Sequence, residues 1–394
     1  MRFLHLGDSH IGNVYKDYQR NEDIKDAFKQ VIDAAINENV DFIVHSGDLF
    51  NEGNPALSDL LFVTDQLNRL RSAGIKIFIV PGSHDIGIGE EESIIELFDR
   101  NGLLVNLNAK RYVSFSEREI TLKGEVYGGA FICGVKGKRS RVEDEVFKKL
   151  KIEQSTENCL IKIFIFHHTI STLGEKFKDL DTESLPRGFD YYAAGHWHGH
   201  RDNIKYDRGI IQYPGSTEYC DEKEIVDNPN RGFYLVDFDE SGIRNLEYRI
   251  IKTRGKELIE LDSNGKTAVE IRDQIFSKLK HSDGNLLVIK LLGQMRGKKS
   301  ELELLKIKNT AKDLGYSYVS INLSKLADKD DQSVEINSKD IADVEKEYLL
   351  KKGYDEMGLK MAEYLVSNFD TGKNPIDVKA GLNEIFRTYD NKKN

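Results

Sequence analysis

Between Arg2 and Gly82 short apolar runs alternate with amphipathic helical patterns, and that alternation constrains the fold more than any other feature of the chain. The runs "RFLHLG", "DFIVHSGD" and "IKIFIVPG" read as buried strands. Between them, "YQRNEDIKDAFKQVIDAAINEN" places Ile24, Phe28, Val31, Ile32 and Ala35 on one helical face, and "LSDLLFVTDQLNRLRSA" predicts a second helix. A βαβαβ order implies parallel strands joined by right-handed crossovers, with helices packed on the sheet. Further strands are predicted at "AFICGV", "IKIFIFHH", "YYAAGHWH", "GIIQYPGS" and "GFYLVDFD". Their closer spacing predicts a second, more mixed sheet packed on the first.

From about Glu257 the texture changes. "AVEIRDQIFSKL" predicts a helix, "NLLVIKLLG" a strand, "ELELLKIKNTAKDLG" a helix and "YSYVSINLS" a strand, a compact αβαβ unit. "ADKDDQSVEINSKD" is polar and charged without apolar periodicity and reads as a linker. "IADVEKEYLLKKG", "MGLKMAEYLVSNF" and "NPIDVKAGLNEIFRTYD" read as amphipathic helices. The expected organisation is an α/β domain over 1–255, a small αβ cap over 256–326, a linker over 327–340 and a helical tail over 341–394.

Composition narrows the class. With 39% hydrophobic and 31% charged residues, the chain has the balance of a soluble globular protein rather than a disordered or membrane one. No apolar run reaches the roughly 18 residues of a membrane span. "MRFLHLGDSH" is too short and too polar for a secretory h-region and reads as a strand. Cys133, Cys159 and Cys220 form no C-x-x-C pattern and are expected to be reduced core residues of a cytoplasmic protein. The formal charge of −9 argues against a uniformly basic nucleic-acid binder and leaves a local basic groove open.

The chemistry is concentrated at strand ends. Asp8-x-His10 follows the first strand, Gly47-Asp48 the second and Ser83-His84-Asp85 the third. Later strands end in His167-His168 and in Gly195-His196-Trp197-His198. In a parallel sheet such residues converge on the carboxyl edge. Asp and His together suit Mn²⁺, Fe²⁺ or Zn²⁺. The set is too rich for one ion and suffices for two ions about 3.5–4 Å apart sharing a carboxylate, the arrangement of in-line phosphoryl chemistry. Alone, each stretch has an ordinary reading: Asp-x-His occurs in many loops, and Gly-Asp is a frequent helix N-cap. Five in order, all at strand ends, argue against coincidence. His5 and His45, inside strand patterns, are expected to be structural, and His281 lies on a surface turn. His168 and His200 fit either a supporting or a surface role.

In this order D-x-H, G-D, G-x-H-D, a strand-end H and G-H-x-H resemble the calcineurin-like metallophosphoesterases. "HSGDLFNEGNP", "YYAAGHWHGHR", "IIQYPGSTE" and "GFYLVDFD" are similar, within them, to the Mre-eleven/SbcD nucleases of double-strand-break repair. The resemblance covers the first 250 residues with specific motifs and the rest in outline. It implies an α/β fold, a two-sheet metallophosphoesterase sandwich with a small αβ capping domain and a helical C-terminal tail. It also implies two divalent metal ions, Mn²⁺ first among the candidates. One would be held by Asp8, His10, Asp48 and His198, the other by Asp48, Ser83, His167 and His196. His84 would face the phosphate and act as general acid. The implied activity is exonuclease and endonuclease hydrolysis of DNA phosphodiesters by in-line attack of an activated water. Two positions depart from the pattern. Ser83 stands where the family usually has Asn, which implies a less tightly held second ion. Asn51 stands where many relatives have a His that helps place the DNA backbone.

A nuclease needs cationic contacts to phosphates. Lys136, Lys138, Arg139 and Arg141 of "VKGKRSR" are candidates, as are Arg296, Lys298 and Lys299 of "MRGKK", and Arg201. Each also fits an ordinary solvated loop. Trp197 fits a base-stacking role or a packed rim. In the tail, Tyr348, Leu349, Met357, Leu359, Met361, Leu365 and Phe369 form an apolar set that either covers the protein's own body or receives a partner. The resemblance implies duplex ends and hairpins as DNA partners, a Rad-fifty/SbcC-like ABC ATPase on the tail, a homodimer, and a cytoplasmic, nucleoid-associated location away from membranes. Two other readings share the metal core: a small-molecule phosphatase or phosphodiesterase, and a scaffold subunit with weakened catalysis. The cap and tail weigh against the first, and His84 against the second.

Overall fold

The computed structural model describes residues 1–15, 18–87, 92–116, 119–137, 143–153, 158–174, 176, 178–227 and 230–327, with 350, 355, 357–361, 364 and 385 beyond them. Strands β1 (Arg2–Leu6), β2 (Phe42–His45), β3 (Lys76–Ile79) and β4 (Val105–Asn106) pair in parallel. Helices α1 (Asn21–Asn37) and α2 (Leu57–Ser72) provide the first two crossovers. The apolar face expected of α1 is the one buried: Ile24, Phe28, Val31, Ile32 and Ala35. Strands β5 (Glu125–Tyr127), β6 (Ala130–Val135), β7 (Ile161–His167), β8 (Tyr191–Gly195), β9 (Arg201–Tyr206) and β10 (Gly209–Tyr213) build a second six-stranded sheet in the order β9-β10-β8-β7-β6-β5. Its inner strands are parallel and both edges antiparallel, the mixed sheet expected.

"GFYLVDFD" departs from the expectation that it joins this second sheet. As β11 (Gly232–Asp239) it returns to the first sheet and pairs antiparallel with β1, Phe3 opposite Val236, and then with β12 (Gly242–Ile250). The first sheet thus runs β12-β11-β1-β2-β3-β4. Both faces of β11 are apolar, so its pattern announces burial without saying in which sheet; the open edge of β1 decides.

Side chains alternate between two cores with the period of 2 that strands impose. Phe3, Phe42, Val44, Phe78 and Val80 point inward and meet Ile161, Ile163, Ile165 and Tyr191 of the second sheet. Leu4, Leu6, Ile43, Ile77 and Ile79 point outward under α1 and α2. Phe164, Phe166 and Tyr192 cover the far side of the second sheet. This α/β sandwich fixes the carboxyl ends of β1, β2, β3, β7 and β8, from which the candidate ligands hang.

Beyond β12, strands β13 (Lys256–Asp262), β14 (Leu286–Gln294) and β15 (Tyr318–Ala327) form a sheet in chain order, with helices α4 (Ala268–Lys278) and α5 (Leu304–Asp313) between them. β13 has no counterpart in the expected αβαβ unit, where its alternating exposure carried a weak apolar signal. The helix expected over 301–315 is interrupted: Lys299–Leu302 is a 3-10 turn and Glu303 has φ 52°. Two compact units are distinguished, one of Met1–Leu261, Arg272–Leu291 and Glu303–Ser324, the other of Asp262–Ile271, Leu292–Leu302 and Lys325–Asn394. Within the first, Leu286, Val288 and Tyr318 pack on Tyr219 and Ile225. Within the second, Ser263 N–H donates to the Leu292 carbonyl and Met295 N–H to that of Ala327. The expected linker, apart from Ala327, and most of the tail lie outside the described residues; Met357, Leu359 and Met361 fall in one helical stretch, with Leu359 buried. Among the described residues no helix is long and apolar enough to cross a membrane.

Candidate metal centre

The turns after β1 and β2 are laced together by the main chain: Asp8 N–H donates to the Gly47 carbonyl at 2.9 Å and His10 N–H to that of Asp48 at 3.0 Å. This brings two ligand-bearing turns to one edge. Asp8, His10, Asp48 and His196 all have φ between 47° and 80°, a left-handed conformation that costs an ordinary residue free energy. A Cβ on Gly82 would collide with the Asp48 carboxylate and main chain, which explains the glycine after Pro81.

His167 donates from Nδ1 to the Ser46 carbonyl at 2.8 Å, which turns Nε2 toward Asp48 Oδ2 at 3.0 Å and His196 Nδ1 at 3.2 Å. On the other side His198 Nδ1 meets Glu224 Oε1 at 2.5 Å, and its Nε2 lies 3.0 Å from His10 Nε2 and 3.9 Å from Asp8 Oδ1. Asp48 Oδ2 is also 3.8 Å from His10 Nε2, so this oxygen faces both histidine groups. The Asp8 carboxylate accepts from His196 N–H at 3.0 Å. The sequence-predicted residues Asp8, His10, Asp48, His167, His196 and His198 therefore converge. His10, Asp48 and His84 offer ligand atoms within 4.8 Å of one another, as do Asp48, His167 and His196.

His84 is held from two directions. Its N–H donates to Asp48 Oδ1 at 2.7 Å, and its Nδ1 lies 2.8 Å from the Asn51 carbonyl. A carbonyl only accepts, so Nδ1 carries the proton and Nε2 is left for chemistry. Ser83 is buried beside it. Asp85 points away from the ligand groups and accepts the N–H groups of Phe50 and Gly82, both at 2.9 Å. Burial, with Asp48 nearby, pushes its pKa up to about 7.

The electrostatics match a cation site. Burial resists ionisation of Asp48, but His167 and His10 outweigh it and hold the carboxyl below the usual range. Burial also resists charging of His167, yet Asp48, Asp8 and the Ser46 carbonyl lift its pKa to about 9. Burial and His167 lower His196 to about 4. Burial and His198 push His10 well below its ordinary value. Each pair of facing imidazole nitrogens lies close enough to share one proton, and a divalent ion would take the place of that proton. Asp48 Oδ2 is buried between imidazole nitrogens of His167, at 3.0 Å, and His10, at 3.8 Å, and His10 Nδ1 is buried without a hydrogen-bond partner, an arrangement that a divalent ion would complete. The residues present fit divalent metal.

Three residues were missed by sequence reasoning. Glu224 sits on helix α3 (Glu222–Asp227) and also binds Arg231 at 2.5 Å. Cys220, expected in the core, is buried beside His10 and His198, with ligand atoms of all three within 4.8 Å. Asp179 Oδ2 lies 3.5 Å from His196 Nε2. None belongs to a motif; the acidic run "CDEKE" was the only signal for Cys220 and Glu224, and Asp179 had none. His5 and His45 are structural, bonded to Tyr191 Oη and Ser9 Oγ, both at 2.9 Å. His168 packs edge-on against Phe147, and His200 stacks on Tyr248. Trp197 packs on the outer core of the second sheet. Of the expected DNA contacts, Asn51 accepts from Asn13 Nδ2 at 3.0 Å, Arg201 is exposed at the start of β9, and Arg296 lies 3.4 Å from Glu270. Lys138 and Arg139 lie outside the described residues.

The family model described as calcineurin-like phosphoesterase matches residues 1–200, the stretch that carries every motif through His198. A DNA double-strand break repair protein Mre11 of Methanocaldococcus jannaschii is 32% identical over 68% of this chain and 70% of its own length. Those of Methanococcus maripaludis (25% identical, 90% of this chain, 92% of the relative) and Saccharolobus solfataricus (28%, 77% and 77%) are similar along more of it. The chain belongs to the calcineurin-like phosphoesterases and, within them, to the Mre11 family. It is a phosphoesterase hydrolase of a metal-binding fold.

Proposed function

We propose that the protein is a metal-dependent DNA nuclease of double-strand-break repair, hydrolysing phosphodiesters at duplex ends and hairpins. The observation that carries this reading is the convergence of Asp8, His10, Asp48, His167, His196 and His198, from both sheets, around an Asp48 oxygen that faces both histidine groups. Asp8, His10, Asp48 and His198 would hold one divalent ion; Asp48, Ser83, His167 and His196 would hold the other, with Mn²⁺ the first candidate. Bound there, the ions supply an activated water and neutralise charge on the phosphate. The chain's own residues do the rest. Asp48 is shared by both positions. His84, its Nδ1 proton committed to the Asn51 carbonyl, presents Nε2 to the leaving oxygen; with a second proton taken up at Nε2 from solvent, the imidazolium would give that proton to the leaving oxygen as general acid and return to its neutral form. Arg201, Arg296, Asn51, Lys138 and Arg139 are the proposed backbone contacts.

The domain division at 255, 326 and 340, an ABC-ATPase partner on the 341–394 tail and a homodimer belong to the same reading. Leu57 and Leu61, exposed one turn apart on α2, give the dimer an apolar starting point. The test is cleavage of labelled duplex and hairpin DNA with Mn²⁺, Mg²⁺ or Zn²⁺, beside para-nitrophenyl phosphate esters. Cleavage of DNA is expected, with His84→Ser cutting turnover by about 10²–10⁴ while both ions stay bound. Turnover of the esters with DNA untouched would make it a small-molecule enzyme, and loss of both ions in His84→Ser would make His84 a ligand.

A further inference from the structure

We infer that Cys220 supplies a thiolate ligand to the ion between His10 and His198, so that this end of the centre takes a borderline-soft cation such as Zn²⁺, Fe²⁺ or Co²⁺ in preference to Mn²⁺. The inference rests on the metal centre proposed above and adds a ligand that the strand-end motifs do not contain. Cys220 is free and 9% exposed, in the turn between β10 and α3. Its sulfur, a His10 nitrogen and a His198 nitrogen all lie within 4.8 Å of one another.

One carboxylate holds two of these residues in place. Glu224 Oε2 accepts the Cys220 N–H at 2.9 Å, and its Oε1 meets His198 Nδ1 at 2.5 Å. Arg231, wholly buried, binds the same carboxylate and so fixes it. The sulfur makes a long contact, 3.6 Å, to the Glu218 carbonyl, weak enough to be exchanged for a metal bond. A further observation comes from His10 itself: it is 2% exposed, and its Nδ1 is buried without a hydrogen-bond partner.

Ligation replaces the sulfur–hydrogen bond with a sulfur–metal bond, and the proton leaves to solvent. Sulfur with two imidazoles favours soft and borderline ions, whereas carboxylate and water suit Mn²⁺. The other end, Asp48, His167 and His196, has no sulfur among the described residues. The two positions therefore differ in metal preference as well as affinity.

The experiment is titration of the full chain with Co²⁺, followed by near-ultraviolet absorption, alongside C220S. A sulfur-to-cobalt charge-transfer band is expected in the wild type and absent in C220S. Zn²⁺ affinity of the tighter site should fall at least about tenfold in C220S, and Mn²⁺ affinity less than about threefold. A second measurement needs no substitution: Zn²⁺ should slow alkylation of Cys220, read by peptide mass spectrometry. Two Co²⁺ bound with no such band and unchanged alkylation would overturn the role of Cys220 and leave the centre standing. Retention of no ion by the wild type would overturn the centre itself and this inference with it.

Discussion

Around Asp48, the imidazole of His167 is fixed by the main chain, through the Ser46 carbonyl at the end of β2. Across the site, His198 is fixed by a side chain, Glu224, on the six-residue helix α3. The first arrangement is part of the sandwich. His167 ends a strand buried between two cores, and no side-chain substitution removes a carbonyl. The second is assembled from Glu224, Arg231 and Cys220, residues outside the strands that define the fold. Outer partners that orient a ligand tune metal affinity. The His198 end is thus open to tuning by substitution, while the His167 end is fixed by the same contacts that fix the sheet.

Glu222 makes the contrast sharper. It lies on the same short helix as Glu224 and binds Ser320 and Asn322 of β15, the latter at 2.7 Å. The His198 end is therefore tied to the β13–β15 sheet through side chains, and the His167 end to the sandwich through its backbone.

Substitutions can break this comparison in order of effect. Asp48→Asn removes the carboxylate facing both ends, and both ions should weaken by at least about 10²-fold, more than loss of an outer partner causes. Metal analysis after dialysis checks it; retention of one ion would show that Asp48 serves a single end. Glu224→Gln keeps the shape of the helix but weakens the hold on His198. One ion should weaken about 10- to 100-fold and the other stay unchanged, by calorimetry with Zn²⁺ and Mn²⁺. Equal loss at both would erase the distinction between the ends. Ser83→Asn is the mildest change. A serine hydroxyl is neutral and about one bond shorter in reach than an asparagine amide oxygen. Restoring the amide should tighten the ion at the His167 end by a few-fold and lower the metal concentration for half-maximal rate. No change in a Mn²⁺ titration would mean that Ser83 does not limit that site.

Much of the sandwich was legible because strand and helix periods differ, and the candidate ligands were legible because they end those strands. The rest depended on contacts between distant segments. β11 is apolar on both faces, so sequence could not say that it would cover β1. Glu303 interrupts a helical pattern with a left-handed residue, a local event that apolar periodicity does not register. Glu224 and Cys220 reach His198 only because α3 folds back over the second sheet's end, more than twenty residues after the motif. An acidic run on a short helix looks the same whether it faces solvent or a histidine.

The left-handed backbone at Asp8, His10, Asp48 and His196 has a consequence for how this chain tolerates change. For a residue with a Cβ this conformation costs roughly 1–2 kcal/mol, and glycine relieves it. At these four positions, then, a glycine would ease the backbone and delete a candidate ligand in the same step. Selection for a sturdier fold and selection for a working centre pull in opposite directions at the same residues. A library screened for thermal stability alone should drift toward glycine there, and one screened for phosphodiester cleavage should not.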